Sequence, residues 1–114
     1  METEPTPSVT KPTVNVENLS SSERNEKAEK YKMEGNQKLT EKKYKEAVDC
    51  YTMAIQFNSE NAIYYANRAA AYSHLGLHEK AIEDCNKSIA QNPNYSKAYG
   101  RLGYVKISLK FLFE

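Results

Sequence analysis

The chain repeats itself with a period of 34 residues, and this repetition restricts its fold more than any other feature of the sequence. When the sequence is shifted by that period, Tyr31, Tyr65 and Tyr99 coincide. The same shift pairs several small, aliphatic and amide residues: Gly35 with Ala69 and Gly103, Ala47 with Ala81, Val48 with Ile82, Ile55 with Ile89, and Asn58 with Asn92. A period of this length, with small residues at fixed points, is typical of stacked helical hairpins.

Within each period the sequence reads as two helices. Alanines and aromatic residues recur at helical spacing, and the alternation typical of strands is absent. Breaks are predicted at 40–43, 58–61, 76–78 and 92–94, where glycine, asparagine, proline or polar clusters interrupt the pattern. Ser20 and Glu23 have the spacing of a capping box, which predicts that the first helix begins there. We expect Gly35, Ala69 and Gly103 to let the first helix of each hairpin approach its neighbour.

The N-terminal residues have a different composition. Three prolines, several threonines and few large apolar residues predict a disordered arm over residues 1–22, followed by a single helical domain over residues 23–114. The domain is small, because the whole chain has 114 residues.

Charge and composition argue against several classes of protein. A net charge of +1 does not provide the concentrated basic face that non-specific nucleic-acid binding needs. No apolar run approaches the ~20 residues of a membrane helix, and the N-terminus lacks the basic and apolar parts of a signal peptide. Cys50 and Cys85 do not form a C-x-x-C motif, so we expect free thiols in packing positions and a cytoplasmic protein.

The residues at fixed repeat positions resemble the tetratricopeptide repeat family. The pattern covers residues 28–61 and 62–95, with a partial third repeat at 96–114. The matching residues are Tyr31, Gly35, Ala47, Tyr51 and Ala54 in the first repeat, Tyr65, Ala69, Tyr72, Ala81 and Pro93 in the second, and Tyr99, Leu102 and Gly103 in the third. The sequence departs from the pattern at Lys38, Ser59, Cys85 and Ser88. The resemblance implies an all-α solenoid of about two and a half helical hairpins.

Polar residues on the first helix of each hairpin suggest an anion site. Lys32 and Asn36 are four residues apart and share a helix face, as do Lys97 and Arg101, while Asn67 lies on the helix between. Lysine and arginine only donate hydrogen bonds, and asparagine can donate them too, so the set would suit a ligand with several carboxylate oxygens. Any one of these residues alone would more often be solvated surface.

Together, these five residues resemble the two-carboxylate clamp of tetratricopeptide co-chaperones, and the chain most resembles the small glutamine-rich group of that family. The resemblance implies binding of the acidic Glu-Glu-Val-Asp tails of cytosolic 70- and 90-kDa heat-shock chaperones. It assigns Lys32, Asn36, Asn67 and Lys97 to the terminal aspartate and Arg101 to the upstream acidic part. The resemblance leaves open a homodimer in a full-length form. Since the sequence offers no catalytic motif, we expect no enzyme activity and no cofactor.

Two other functions fit the sequence. The repeats could be the interaction module of a larger enzyme, such as a phosphatase or a peptidyl-prolyl isomerase, or a scaffold that uses no clamp. The chain itself contains no nucleophile motif and no phosphate-binding loop. His74 and His78 are separated by a predicted turn and are too few for a structural zinc site. Glu83 and Asp84 are predicted to lie on a solvated face.

The third repeat stops at Glu114, before its second helix, as in a truncated protein. We therefore expect apolar side chains of the last helix to face water: Val105, Ile107, Leu109, Phe111, Leu112 and Phe113. Such exposure should lower stability and favour aggregation. A version extended through the third hairpin should melt at a higher temperature, and equal melting temperatures would contradict this expectation.

Overall fold

The structure, a computed structural model, describes residues 18–112, which form five α-helices. These are α1 (Ser21–Thr40), α2 (Tyr44–Phe57), α3 (Ala62–His74), α4 (His78–Gln91) and α5 (Ser96–Leu112). Each helix packs against the next one along the chain, and α3 also contacts α1 and α5. No strand occurs in this range, and the predicted all-α solenoid of helical hairpins is confirmed.

The first helix begins where the capping box was predicted. The Ser20 hydroxyl accepts a hydrogen bond from the Glu23 backbone N–H at 3.1 Å, and the Glu23 carboxylate accepts one from the Ser20 N–H at 2.9 Å. These bonds satisfy two N–H groups that have no partner inside the helix. The predicted arm extended to residue 22, whereas α1 already starts at Ser21; residues 1–17 lie outside the described range.

The turns inside the two hairpins use the same backbone conformation, 34 residues apart. Lys42 and Gly76 both have positive φ, of 63° and 77°. In each turn, the two residues after the helix cap donate backbone hydrogen bonds to carbonyl groups of the last helical turn. These donors are Lys42 and Lys43 in the first hairpin, and Gly76 and Leu77 in the second. This is the Schellman arrangement, which directs the chain back along the preceding helix.

The connections between hairpins also repeat. Asn58 follows α2 and Asn92 follows α4, and both adopt an extended backbone. Each asparagine side chain accepts a hydrogen bond at 3.0 Å from the N–H two residues later, on Glu60 and Asn94. This hydrogen bond stabilises a turn just after the helix, where the backbone N–H no longer has a helical partner. This explains why asparagine recurs at this repeat position.

Close helix packing depends on the small residues, as predicted for two of the three positions. A Cβ atom on Gly35 would lie 2.6 Å from Cε1 of the fully buried Tyr51, so only glycine leaves room for that ring. Ala69 is likewise fully buried. The prediction was wrong for Gly103, which is exposed and has no atom within 4 Å of its Cβ position. The opposite face of α5 is the one that packs on the solenoid.

Asp84 corrects a second prediction, because it is buried rather than solvated. Its side chain accepts hydrogen bonds from Nε and Nη2 of Arg68 at 2.7 and 2.9 Å, and only 2% of Asp84 is exposed. Nη1 of Arg68 donates to the hydroxyl of Thr52 at 3.0 Å. Burial is tolerated because the guanidinium neutralises the carboxylate and satisfies both of its oxygens. The network joins α2, α3 and α4.

The apolar residues of α5 divide between core and solvent. Val105 was predicted to face water, but it is fully buried against Ala69, Ala81 and Cys85. Leu109 is half-buried. The prediction is confirmed for Ile107, Phe111 and Leu112, which are exposed, and Phe113 lies outside the described residues. Both cysteines are free thiols as expected, Cys85 buried and Cys50 half-buried.

None of the helices between residues 18 and 112 combines the length and apolar character that a bilayer span requires.

Candidate peptide-binding site

The solenoid brings the five predicted site residues onto three neighbouring helices. Lys32 and Asn36 lie on α1, Asn67 on α3, and Lys97 and Arg101 on α5. These are the first helices of successive hairpins, and α3 contacts both α1 and α5. The repeat therefore places the five residues on three helices that lie side by side.

The two amides meet directly. Nδ2 of Asn67 donates a hydrogen bond to Oδ1 of Asn36 at 3.3 Å, across the α1–α3 boundary. The same oxygen accepts a second hydrogen bond, at 2.5 Å, from the hydroxyl of Tyr51. Because both bonds end on the carbonyl oxygen, the side-chain N–H groups of Asn36 are left as donors, without a partner in the part of the chain that the structure describes. The amide is thus oriented to bind an acceptor.

The charge of Arg101 acts on the hydroxyl of Tyr51, the group that bonds Asn36. Burial raises the pKa of the Tyr51 hydroxyl to about 12, the neighbouring Cys50 thiol adds to the increase, and the positive charge of Arg101 opposes it. Arg101 acts in the same sense on Cys85, whose pKa burial raises to about 11. Arg101 as a residue is half-buried, so its charge is less screened by water than that of a fully exposed arginine.

Lys32 has a local partner on its own helix, Glu29. Its Nζ atom lies 3.0 Å from Oε1 of Glu29, one turn earlier on α1. The other oxygen of Glu29 accepts a 2.6 Å hydrogen bond from the hydroxyl of Tyr64, a side chain that is 1% exposed. Tyr64 therefore fixes Glu29, and Glu29 in turn positions the ammonium group of Lys32.

The cations of α5 are electrostatically unbalanced. Lys97 and Arg101 form no ion pair with any carboxylate among residues 18–112, and the sequence of α5 contains no acidic residue. An unpaired cation next to an amide donor is a favourable place for a carboxylate, because the anion gains charge-assisted hydrogen bonds. No contact in the structure joins Lys97 to the Asn36–Asn67 pair.

The sequence identified the charged and amide residues, but it did not identify the side chains that orient them. The sequence indicates only a core position for Tyr51, and no pattern in it shows that the hydroxyl binds Asn36. Glu29 could have been found, since it precedes Lys32 by three residues on a helix, a spacing that favours ion pairs. The role of Tyr64 depends on tertiary packing and gives no sequence signal.

The contacts of Glu29 with Tyr64 and Lys32 predict a pH dependence of the stability of the protein. The hydrogen bond from Tyr64 lowers the pKa of Glu29 below its ordinary 4.5 against the effect of burial, and Lys32 lowers it further. A carboxyl whose pKa is lowered by folding stabilises the protein above its unfolded pKa, and this contribution disappears as the pH falls through the folded value. Glu29→Gln should therefore lower the melting temperature at neutral pH and have progressively less effect below about pH 4.5.

The effect should be of the order of 1 kcal/mol or less, because the Glu29 side chain is 48% exposed and partly screened. Thermal melts of both proteins between about pH 7 and about pH 3 measure it. Glu26→Gln, an exposed position on the same helix, is the control and should show no such difference. A melting-temperature difference between wild type and Glu29→Gln that does not vary with pH would contradict the prediction.

The two histidines lie on either side of a turn. His74 ends α3, where its ring stacks on Tyr44 at a centroid distance of 4.5 Å, and His78 begins α4. In the described part of the chain, no group of three or more histidine, cysteine, aspartate or glutamate side chains has an arrangement that could hold a metal ion.

Comparisons with known proteins agree with this architecture. The family model described as "Tetratricopeptide repeat" matches residues 62–95. Among curated proteins, the small glutamine-rich tetratricopeptide repeat-containing protein of Dictyostelium discoideum is 59% identical over 76 residues, which cover 67% of this chain and 23% of that protein. The chain spans about a quarter of the length of the curated relatives that it matches.

Solved structures extend the likeness to three dimensions. The second repeat domain of Spaghetti (RPAP3), bound to the HSP90 peptide SRMEEVD, has a TM-score of 0.75 and 36% identity, covering 81% of this chain and 84% of that one. The TPR2B domain of yeast Sti1, in its pHsp70 complex, has a TM-score of 0.73 and 40% identity, covering 74% and 67%. The 34-residue period, the paired helices and these similarities lead to one conclusion: the chain belongs to the tetratricopeptide repeat family.

Proposed function

We propose that this chain is a co-chaperone adaptor module that binds the acidic C-terminal tails of 70- and 90-kDa heat-shock chaperones. The observation that carries the proposal is the Asn67–Asn36 hydrogen bond, which joins amides of two hairpins. The hydroxyl of Tyr51, on which the charge of Arg101 acts, bonds the same oxygen of Asn36. Similar repeat domains have been solved with an HSP90 peptide that ends in Glu-Glu-Val-Asp and in a pHsp70 complex.

The clamp would use each residue for a different part of the ligand. A C-terminal aspartate carries two carboxylates, which need several donors close together. Lys32, Asn36, Asn67 and Lys97 would hold these two carboxylates. Arg101 would bind an acidic side chain upstream, since its planar guanidinium can donate two parallel hydrogen bonds to one carboxylate.

In the free protein, Lys32 forms an ion pair with Glu29. A ligand carboxylate must therefore share the Lys32 ammonium group with Glu29 or displace Glu29 from it. The ligand also loses conformational freedom when it binds. We therefore expect a modest affinity that falls as salt increases, because the attraction is mainly between charges.

The proposal describes a binding protein without an enzymatic reaction. The relatives reported above are named as tetratricopeptide repeat proteins and domains, and the residues assigned here would bind carboxylates and include no nucleophile. A cytoplasmic location fits the partner class and the two free thiols, Cys50 and Cys85, since thiols are kept reduced in that compartment.

Alanine substitutions on α5 test the clamp. We expect Lys97→Ala and Arg101→Ala each to weaken binding of a peptide ending in Glu-Glu-Val-Asp by about five- to tenfold, because each removes an unpaired cation from the site. Both positions lie on an accessible face, so circular dichroism should show unchanged helix content. Isothermal titration calorimetry measures the affinities.

Lys87→Ala is the matched control, since it removes an exposed lysine from α4, a second helix of a hairpin. It should leave the affinity within about twofold of the wild type. If all three variants bind alike, the peptide does not use the α5 cations and the proposed clamp is wrong.

A further inference from the structure

Glu29 lies on the same face of α1 as Lys32 and Asn36. It precedes Lys32 by three residues and Asn36 by seven, and both spacings return to one side of a helix. The 34-residue period gives the same result, because it aligns Glu29 with Ile63 on α3 and with Lys97 on α5. The repeat position that carries a cation of the proposed clamp on α5 therefore carries a carboxylate on α1.

Both oxygens of the Glu29 carboxylate have a partner. Oε1 lies 3.0 Å from Nζ of Lys32, and Oε2 accepts the 2.6 Å hydrogen bond from the hydroxyl of Tyr64. Because Tyr64 is 1% exposed, its hydroxyl is anchored in the core and holds the carboxylate in place. The Glu29 side chain is itself 48% exposed, and that of Lys32 is 22% exposed. A ligand that reaches Lys32 therefore meets Glu29 in contact with it.

The cations of the proposed clamp differ in their charge balance. Glu29 neutralises Lys32, whereas Lys97 and Arg101 form no ion pair among residues 18–112. The hydrogen bond from Tyr64 lowers the pKa of Glu29, so the carboxylate is charged at neutral pH. A second carboxylate that binds Lys32 would lie beside this negative charge, and like charges at such short distances repel. Lys32 would therefore attract an acidic ligand less strongly than a lysine without an acidic partner.

We propose that Glu29 is a built-in competitor for the terminal carboxylates of the peptide and limits the affinity of the clamp. The inference rests on the proposed function, since it concerns the same Lys32. Glu29 takes up part of the donor capacity of the ammonium group. A ligand that displaces it must also disturb the hydrogen bond from Tyr64. The clamp then binds more weakly than its donors allow, and it releases the peptide correspondingly faster.

Glu29→Gln tests the proposal, because glutamine keeps the size of the side chain and can still accept the hydrogen bond from Tyr64, but it carries no charge. Calorimetric titration with a peptide ending in Glu-Glu-Val-Asp, well below the melting temperature of either protein, should show about three- to fivefold tighter binding than in the wild type.

The expected gain in affinity has the opposite sign to the effect on stability, since the same variant should melt at a lower temperature at neutral pH. A group that positions Lys32 for the ligand would give weaker binding when it is removed, and a purely structural group would give weaker or unchanged binding. Either result would overturn the proposal.

Glu26→Gln is the matched control for the loss of one negative charge. Glu26 is exposed one turn earlier on α1, and it forms no ion pair in the described part of the chain. Its substitution should change the affinity by less than about 1.5-fold. A gain as large as that of Glu29→Gln would show that the overall charge of α1 controls binding, and the proposed competition would be wrong.

Lys32→Gln separates competition for the ammonium group from direct repulsion of the ligand. In this background, adding Glu29→Gln should strengthen binding by less than about 1.5-fold, because the group for which the two carboxylates compete is absent. An equal gain with and without Lys32 would mean that Glu29 acts on the ligand directly, which contradicts the proposal.

These titrations distinguish a failure of this inference from a failure of the proposed function. A wild type that does not bind the acidic peptide, or that binds its C-terminal amide equally well, contradicts the clamp and the competition together. A wild type that prefers the acid to the amide, with a Glu29→Gln variant that binds no more tightly, supports the clamp and overturns only the role of Glu29.

Discussion

We expect Asp84→Ala to lower the free energy of unfolding by about 3 kcal/mol, because it leaves a buried guanidinium without its counter-charge. The Arg68 side chain is 13% exposed and that of Asp84 is 3% exposed, so water cannot replace the lost partner well. The pair joins α3 to α4, and Arg68 also reaches Thr52 on α2. For a small domain, such a change is a large part of the total stability.

The loss of stability in Asp84→Ala arises from the unpaired charge of Arg68 rather than from the lost attraction between the two side chains. A double variant separates these two contributions. Arg68→Met with Asp84→Ala removes both charges, so it should be more stable than Asp84→Ala alone. Urea unfolding followed by circular dichroism measures all variants. Glu83→Ala, at the exposed neighbouring position on α4, is the control and should unfold like the wild type. A double variant no more stable than Asp84→Ala would show that the charge balance does not matter here.

The second large effect is expected from Gly35→Ala, which should destabilise the domain by about 1–3 kcal/mol. The added methyl carbon would lie 2.6 to 3.0 Å from three ring carbons of Tyr51, and that ring is fully buried and cannot move aside freely. Any shift of Tyr51 also moves the hydroxyl that orients Asn36. We therefore expect weaker binding of the acidic peptide as well as a lower unfolding midpoint.

Gly103→Ala provides the matched control, since the residue occupies the same repeat position on α5 but nothing lies near its Cβ position. Alanine favours a helix over glycine by up to about 1 kcal/mol, so this variant should be as stable as the wild type or more stable. Urea midpoints that fall equally for both glycines would contradict the packing argument.

The repeat explains how much of this structure could be predicted. A period of 34 residues defined the hairpins, and Asn58 and Asn92 marked equivalent turns, because local hydrogen bonds repeat with the sequence. The capping box at Ser20 was predictable for the same reason: its partners lie three residues apart.

The errors concern residues whose surroundings come from distant parts of the chain. Asp84 looks like a surface acid in sequence, and only the fold places Arg68, 16 residues earlier, within hydrogen-bonding distance. Val105 and Gly103 are two residues apart on one helix, and the packing of α5 on α3 and α4 decides which of them is buried. The orientation of Asn36 by Tyr51 depends on tertiary contact in the same way.

The most direct test of the proposed clamp compares two peptides that differ only at the last carboxyl group. Calorimetric titration of the protein with a peptide ending in Glu-Glu-Val-Asp should give clear binding. The same peptide with a C-terminal amide should bind at least about tenfold more weakly, because it lacks one of the two carboxylates that the proposal assigns to Lys32, Asn36, Asn67 and Lys97. Equal affinity for the acid and the amide would contradict the clamp.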